Sequence, residues 1–240
     1  MTRPKEQSTG VLTELRARGA RPILSPAIEI VPARSAALTK ALKELARGDF
    51  TWIVLTSRAT VAMLSDRLDR PSDVRAKVAA IGDGTSDAFR RWARRDPDLV
   101  PATFTTAGLT RTFPRGAGRV LCARADIAPD GLEAGLAAKG WRPTRVDAYR
   151  TRFPPLPVEA RTALSEGRVD AVTFTSASTV RGFVRSLGAA KGHPKVVCIG
   201  PITAKEARAH GFTVAAVANP HTSEGLLAAL ERVFAPRSSR

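Results

Sequence analysis

Cysteine, histidine and aromatic residues are scarce in this chain of 240 residues, and each scarcity closes off a class of function. The two cysteines, Cys122 and Cys198, stand inside apolar runs and lack CxxC spacing. They read as buried reduced thiols in separate sheets, not as a redox pair. His193, His210 and His221 have no metal-ligand spacing with cysteine or acidic neighbours and are assigned to the surface, so no metal is expected. Aromatics are only 5% of residues, and no RNP-type run, zinc-finger spacing or clear helix-turn-helix pair accompanies them. No Walker loop occurs, and Gly82-Asp83-Gly84-Thr85 lacks the third glycine of a dinucleotide fingerprint. No apolar run approaches the roughly 18 residues that span a bilayer. The start, Met1-Thr2-Arg3-Pro4-Lys5-Glu6, has no apolar signal core, so the sequence predicts a soluble, cytoplasmic protein.

Acidic residues are also short: 22 against 38 Lys and Arg, a net charge of +16. Such a balance is either a solvated basic face or the mark of an anionic partner. With no nucleic-acid recognition element in sight, a small polyanion fits as well as DNA or RNA.

What the chain does have is one junction, twice. In Ala171-Val172-Thr173-Phe174-Thr175-Ser176-Ala177-Ser178-Thr179-Val180 a short β-branched run ends in hydroxyl residues, and Val180, Phe183, Val184 and Leu187 then recur at helical spacing. This is a buried strand turning tightly into a helix, whose first N–H groups need a cap or an anion. Adding 119 carries Thr56, Ser57, Thr60 and Val61 onto Thr175, Ser176, Thr179 and Val180. Adding 118 carries Ile81, Gly82 and Thr85 onto Ile199, Gly200 and Thr203. Adding 117 carries Thr105, Gly108 and Leu109 onto Thr222, Gly225 and Leu226. Adding 121 carries Arg3, Leu15, Gly19 and Pro22 onto Arg124, Leu136, Gly140 and Pro143. Offsets that drift by a residue or two across loops indicate a tandem duplication of a folded unit. The strand Arg119-Val120-Leu121-Cys122-Ala123 has its counterpart before Met1, so a truncated or misplaced start and a stub of a first strand are expected.

Strands alternate with helices throughout, which predicts an α/β protein with mainly parallel sheets. Helices are expected over 5–18, 36–47, 59–69, 85–94, 107–113, 130–139, 159–166, 178–187, 203–209 and 223–234. Strands are expected at 23–24, 28–31, 52–56, 78–81, 119–123, 145–149, 169–174, 195–199 and 212–217, with a further short one in 96–118. Phe153-Pro154-Pro155-Leu156-Pro157 reads as a stiff linker, and the tail 236–240 as disordered.

The motifs Thr2-Arg3-Pro4, Thr56-Ser57, Ile81-Gly82-x-Gly84-Thr85, Tyr149-Arg150-Thr151, Phe174-Thr175-Ser176-x-Ser178, Ile199-Gly200-Pro201-x-Thr203 and Thr222-Ser223-Glu224-Gly225-Leu226, taken in order, resemble the uroporphyrinogen-III synthase family over essentially the whole chain. The resemblance implies two flavodoxin-like domains, 1–32 with 152–240 and 36–148, linked at 32–35 and 148–152 by a two-stranded ladder with a cleft between them. It implies a monomer that cyclises hydroxymethylbilane to uroporphyrinogen III with inversion of the last ring and loss of water, using no cofactor, nucleic acid or membrane.

It also makes Tyr149, the only tyrosine, the catalytic candidate, as an aid to departure of the hydroxyl; otherwise it is a strand-end aromatic with a half-exposed hydroxyl. Thr56, Ser57, Thr85, Thr175, Ser176, Ser178 and Thr203 are candidates for substrate binding; one by one such residues are more often simple helix caps, and the two roles are compatible where backbone amides carry the contact. Gly82 and Gly200 mark close backbone approach, with Pro201 stiffening the second loop. Arg3, Arg58 and Arg124 can pair with substrate carboxylates, solvated surface charge being the alternative for any one arginine. Two other classes stay open: a two-lobed binding or sensor module without turnover, and a nucleic-acid binder supported by charge alone.

Overall fold

The computed structural model describes residues 1–187 and 194–235; His193 and the tail 236–240 lie outside the described residues. The chain divides into two compact units, residues 1–29 with 152–240, and residues 30–151.

The first unit opens with a single 3-10 turn (Lys5–Gln7) and helix α1 (Thr9–Ala17), which buries Val11, Leu12 and Leu15. Ile23-Leu24, expected as a strand, forms none. Pro22 and Pro26 flank it and cannot donate to a ladder. The segment instead lies along the chain start, with Ser25 N–H donating to Met1 O (2.8 Å) and Ala27 N–H to Thr2 O (2.9 Å).

The second unit is a doubly wound sheet. Strand β1 (Glu29–Pro32) leads to α2 (Ala36–Arg47), capped by Ser35, whose side chain accepts from Leu38 N. Then follow β2 (Trp52–Leu55), α3 (Arg58–Arg67), β3 (Lys77–Ala80), α4 (Asp83–Ala93), α5 (Thr106–Thr112), β4 (Arg119–Ala125), α6 (Leu132–Ala137) and β5 (Arg142–Arg152). The strand order is β1-β5-β4-β2-β3, with β2, β3, β4 and β5 paired in parallel. The short strand expected in 96–118 is an isolated bridge, Ala79 to Leu99. Both faces are covered, which is why β2 is buried at every position. Leu38, Leu42, Leu45, Leu64 and Phe89 pack from the helices on one side, while Leu109, Leu132 and Leu136 join Trp52 and Val120 on the other. The winding runs outward from β2 to β3, then outward the other way from β4 to β5. The carboxyl ends of β2 and β4 therefore flank the point where strand order reverses, the usual ligand position in such sheets.

The chain re-enters the first unit through Phe153–Pro157. This segment is packed rather than a free spacer: Leu156 is buried, Ser186 Oγ donates to Pro154 O (3.1 Å), and Arg185 stacks on Phe153 at 4.3 Å. Helix α7 (Val158–Ser165), β6 (Ala171–Phe174), α8 (Ala177–Leu187), β7 (Lys195–Cys198), α9 (Pro201–Ala209), β8 (Val214–Val217) and α10 (Ser223–Phe234) complete it. Its sheet is parallel, in the order β6-β7-β8. Thr2 Oγ1 donates to Thr173 O (2.7 Å), which sets the chain start beside β6 as β4 stands beside β2. The two units therefore repeat one layout, and Arg3 and Arg124 hold matching places in it.

Candidate active site

The site builds from the carboxyl end of β2. Leu55 is fully buried, and the chain turns at Thr56-Ser57 into α3. Ser57 caps that helix, its Oγ accepting from Thr60 N–H at 3.2 Å. Thr60, whose exposure is 0%, donates from Oγ1 to Ala123 O at 3.2 Å and so ties the first turn of α3 to the end of β4.

Tyr149 reaches the same point from β5 because the ladder slips. Arg124 pairs with Asp147, but the next residue, Ala125, pairs with Tyr149, leaving Ala148 unmatched. Strand side chains alternate between faces, so an extra residue turns everything after it over. Ala148 and Tyr149 consequently pack in the same cluster, with Leu55, Val61 and Ala123. The Tyr149 hydroxyl lies 2.9 Å from Ser57 Oγ. The phenol is 9% exposed, not half exposed. Burial pushes its pKa above the ordinary phenol value, and the Ser57 hydrogen bond opposes that shift.

The arginines divide. Arg58 is exposed and stands beside the first turn of α4, its Nε 3.9 Å from the point a Cβ on Gly84 would occupy. Arg3 and Arg124 are each 2% exposed, which removes the solvated-surface alternative for both. Arg124 Nη1 donates to Pro129 O (3.0 Å) and to both carboxylate oxygens of Glu133 (3.2 and 3.0 Å). Arg3 Nη1 donates to Ser223 Oγ (3.1 Å) at the head of α10.

The remaining candidates sit at two kinds of helix start. Thr85 and Thr203 do not cap: the caps of α4 and α9 are Gly82 and Gly200, and both threonines are buried at the third helical position. Gly82 is required by contact, since a Cβ there would sit 2.7 Å from Phe104 Cγ. At Gly200 the same atom would meet His221 Cγ at 3.6 Å, an ordinary distance. Pro201 opens α9 at its first position, where a missing N–H costs nothing. In the other unit the turn closes on itself. Ser176 Oγ accepts from Thr179 N–H (3.2 Å) and lies 2.9 Å from Ser178 Oγ. Thr179 Oγ1 accepts from both Thr175 and Ser176 N–H (3.2 Å each) and donates to Ser176 O (2.7 Å).

Residues 11–228 match the family model described as uroporphyrinogen-III synthase HemD. The chain belongs to the uroporphyrinogen-III synthase family. It is 29% identical to the uroporphyrinogen-III synthase of Synechococcus elongatus over 96% of this chain and 93% of that protein. It is 30% identical to the porphyrin biosynthesis protein HemD of Ruminiclostridium josui, over 88% of this chain and 44% of that longer protein. Among solved structures, a mutant uroporphyrinogen III synthase from Thermus thermophilus aligns with a TM-score of 0.70 at 20% identity, covering 98% of this chain and 99% of that one. The Helicobacter pylori uroporphyrinogen-III synthetase aligns at 0.62 and 16% identity, covering 89% and 94%. Both support the fold. Uroporphyrinogen-III synthases are cyclising lyases of porphyrin biosynthesis, which favours an enzyme over a sensor module. Among the described residues no group of three His, Cys, Asp or Glu side chains is placed to hold a metal ion, and no helix is long and apolar enough to cross a membrane.

Four residues of this site were not singled out as candidates by sequence. Thr60 and Thr179 did carry a signal, since they superpose under the offset of 119 as threonines each followed by a valine. Phe104 and Glu133 carried none; only the fold places one ring over Gly82 and one carboxylate on Arg124.

Proposed function

We propose that this chain closes hydroxymethylbilane to uroporphyrinogen III and that Tyr149 gives a proton to the departing hydroxyl. The observation that carries this reading is the state of the phenol: buried, raised in pKa by desolvation, and 2.9 Å from a serine hydroxyl. A phenol held neutral across the physiological range is an acid in waiting and a poor base. The substrate loses hydroxide fairly readily unaided, so the larger task is to hold one conformation while the ring closes.

That task falls to the strand-to-helix turns. Thr56, Ser57, Arg58, Gly82 and Thr85 in one unit, and Thr175, Ser176, Ser178, Gly200 and Thr203 in the other, line helix starts whose first-turn amides and hydroxyls suit acetate and propionate groups; the Thr175 and Ser176 amides are held by Thr179, so these two offer hydroxyls. Pro201, lacking an N–H, fixes its loop. Arg124, committed to Glu133 and Pro129, we assign to holding the β4–α6 loop in place of binding substrate. The excess of cationic side chains steers a polycarboxylate inward.

The test is the isomer formed when purified protein meets freshly made hydroxymethylbilane. Type III product supports the reading; type I alone, the spontaneous product, leaves a binding module in its place.

A further inference from the structure

Three hydroxyls meet at the end of β2, and their protons can be counted. The Thr60 hydroxyl donates to Ala123 O, a carbonyl that can only accept, so Thr60 Oγ1 has no proton left for Ser57. Ser57 Oγ already accepts from Thr60 N–H. Its own proton has two possible acceptors: Thr60 Oγ1 at 3.2 Å and Tyr149 Oη at 2.9 Å. Hydroxyl-to-hydroxyl bonds fall at about 2.5–3.0 Å, so the phenol oxygen is the better placed of the two acceptors. With Ser57 donating along that contact, the phenolic proton of Tyr149 is left for substrate.

We propose that Ser57 is a positioning residue that acts through Tyr149, donating its hydrogen bond to the phenol oxygen so that the phenol's own proton faces outward and the oxygen is stabilised as that proton leaves. The inference rests on Tyr149 as the proton donor. Had the bond run the other way, Tyr149 would donate to Ser57 and have nothing to give. In the other unit the matching Ser176 meets Ser178 at 2.9 Å, so the relay to a titratable group belongs to one turn only.

Because Tyr149 is the only tyrosine, phenolate absorbance in an alkaline titration reads this group alone. Ser57→Gly keeps a residue that helix caps tolerate but removes the hydroxyl; Ser57→Thr keeps it. The expected result for Ser57→Gly is a phenol midpoint raised by about half to one pH unit, the size of one hydrogen bond, with kcat down about three- to tenfold and KM within about twofold; Ser57→Thr restores both. A midpoint that falls, or that does not shift, overturns the proposal. A shifted midpoint with unchanged kcat, in a protein where Tyr149→Phe is slow, overturns the role in turnover. Tyr149→Phe at full rate would instead sink the proton-donor reading, with the titration still reporting the bond. Where alkali unfolds the protein first, the single carbon-13 NMR line of Tyr149 Cζ at neutral pH supplies the same comparison, a chemical-shift change in Ser57→Gly and its return in Ser57→Thr supporting the bond and an unmoved line overturning it.

Discussion

Thr56–Val61 and Thr175–Val180 are nearly the same turn in sequence, and they spend their hydroxyls differently. In the first, Ser57 looks outward to Tyr149 and Thr60 reaches across to Ala123 of the next strand. In the second, Thr179 folds back to take two amides of its own turn, and Ser176 meets Ser178. The duplicated backbone device keeps its shape while its side chains separate into one turn wired to an ionisable group and one that stabilises itself. An enzyme that needs many anion contacts but one proton can be made from a symmetric scaffold in this way.

The sharpest break of that comparison is Tyr149→Phe. Turnover to type III product is expected to fall roughly tenfold or more, whereas Ser176→Ala and Ser178→Ala should weaken binding only modestly in the same isomer assay. Next come the threonines. Thr179→Val strands two half-buried amides and should destabilise by about 2 kcal/mol, against about 1 kcal/mol for Thr60→Val, read as shifts in denaturant midpoint. Equal losses would show that the turns are not distinct. The glycines follow. Gly82→Ala forces Phe104 aside and should cost about 1–3 kcal/mol, while Gly200→Ala should be close to neutral; adding Phe104→Ala should rescue the first.

The phenol also gives one unit an alkaline dependence. Burial raises its folded pKa above that of a free phenol, so the stabilising contribution is complete below the free value and is lost as pH climbs through the folded pKa. Tyr149→Phe should remove that slope from stability-against-pH curves. The smallest contrast is in the thiols. Burial pushes Cys122 up to about 12 and Cys198 up to about 11, so both should resist alkylation at neutral pH and react only on unfolding.

Much of this was legible because periodicity and repetition are local signals. The strand-to-helix junctions, the two apolar cysteines and the equivalence of Arg3 with Arg124 all follow from spacing. What did not follow depends on chains meeting at a distance. Thr85 looks like a cap beside Gly82, yet the glycine's extended backbone takes the cap position and carries the threonine into the helix. Ile23-Leu24 has strand composition, but prolines on both sides deny it a ladder. Arg124 is one arginine among many until the fold buries it against Glu133. The burial of Tyr149 is not legible, because nothing in Val146-Asp147-Ala148-Tyr149 announces a slip opposite Ala125.

That slip sets a rule of counting for the gene. Lengthening a surface loop leaves every hydroxyl where it was, but losing or gaining one codon between Arg142 and Tyr149 would rotate the ring to the opposite side of the sheet, into the Trp52 and Cys122 layer, with composition almost unchanged. Natural length variation in this protein's relatives should therefore avoid those eight positions.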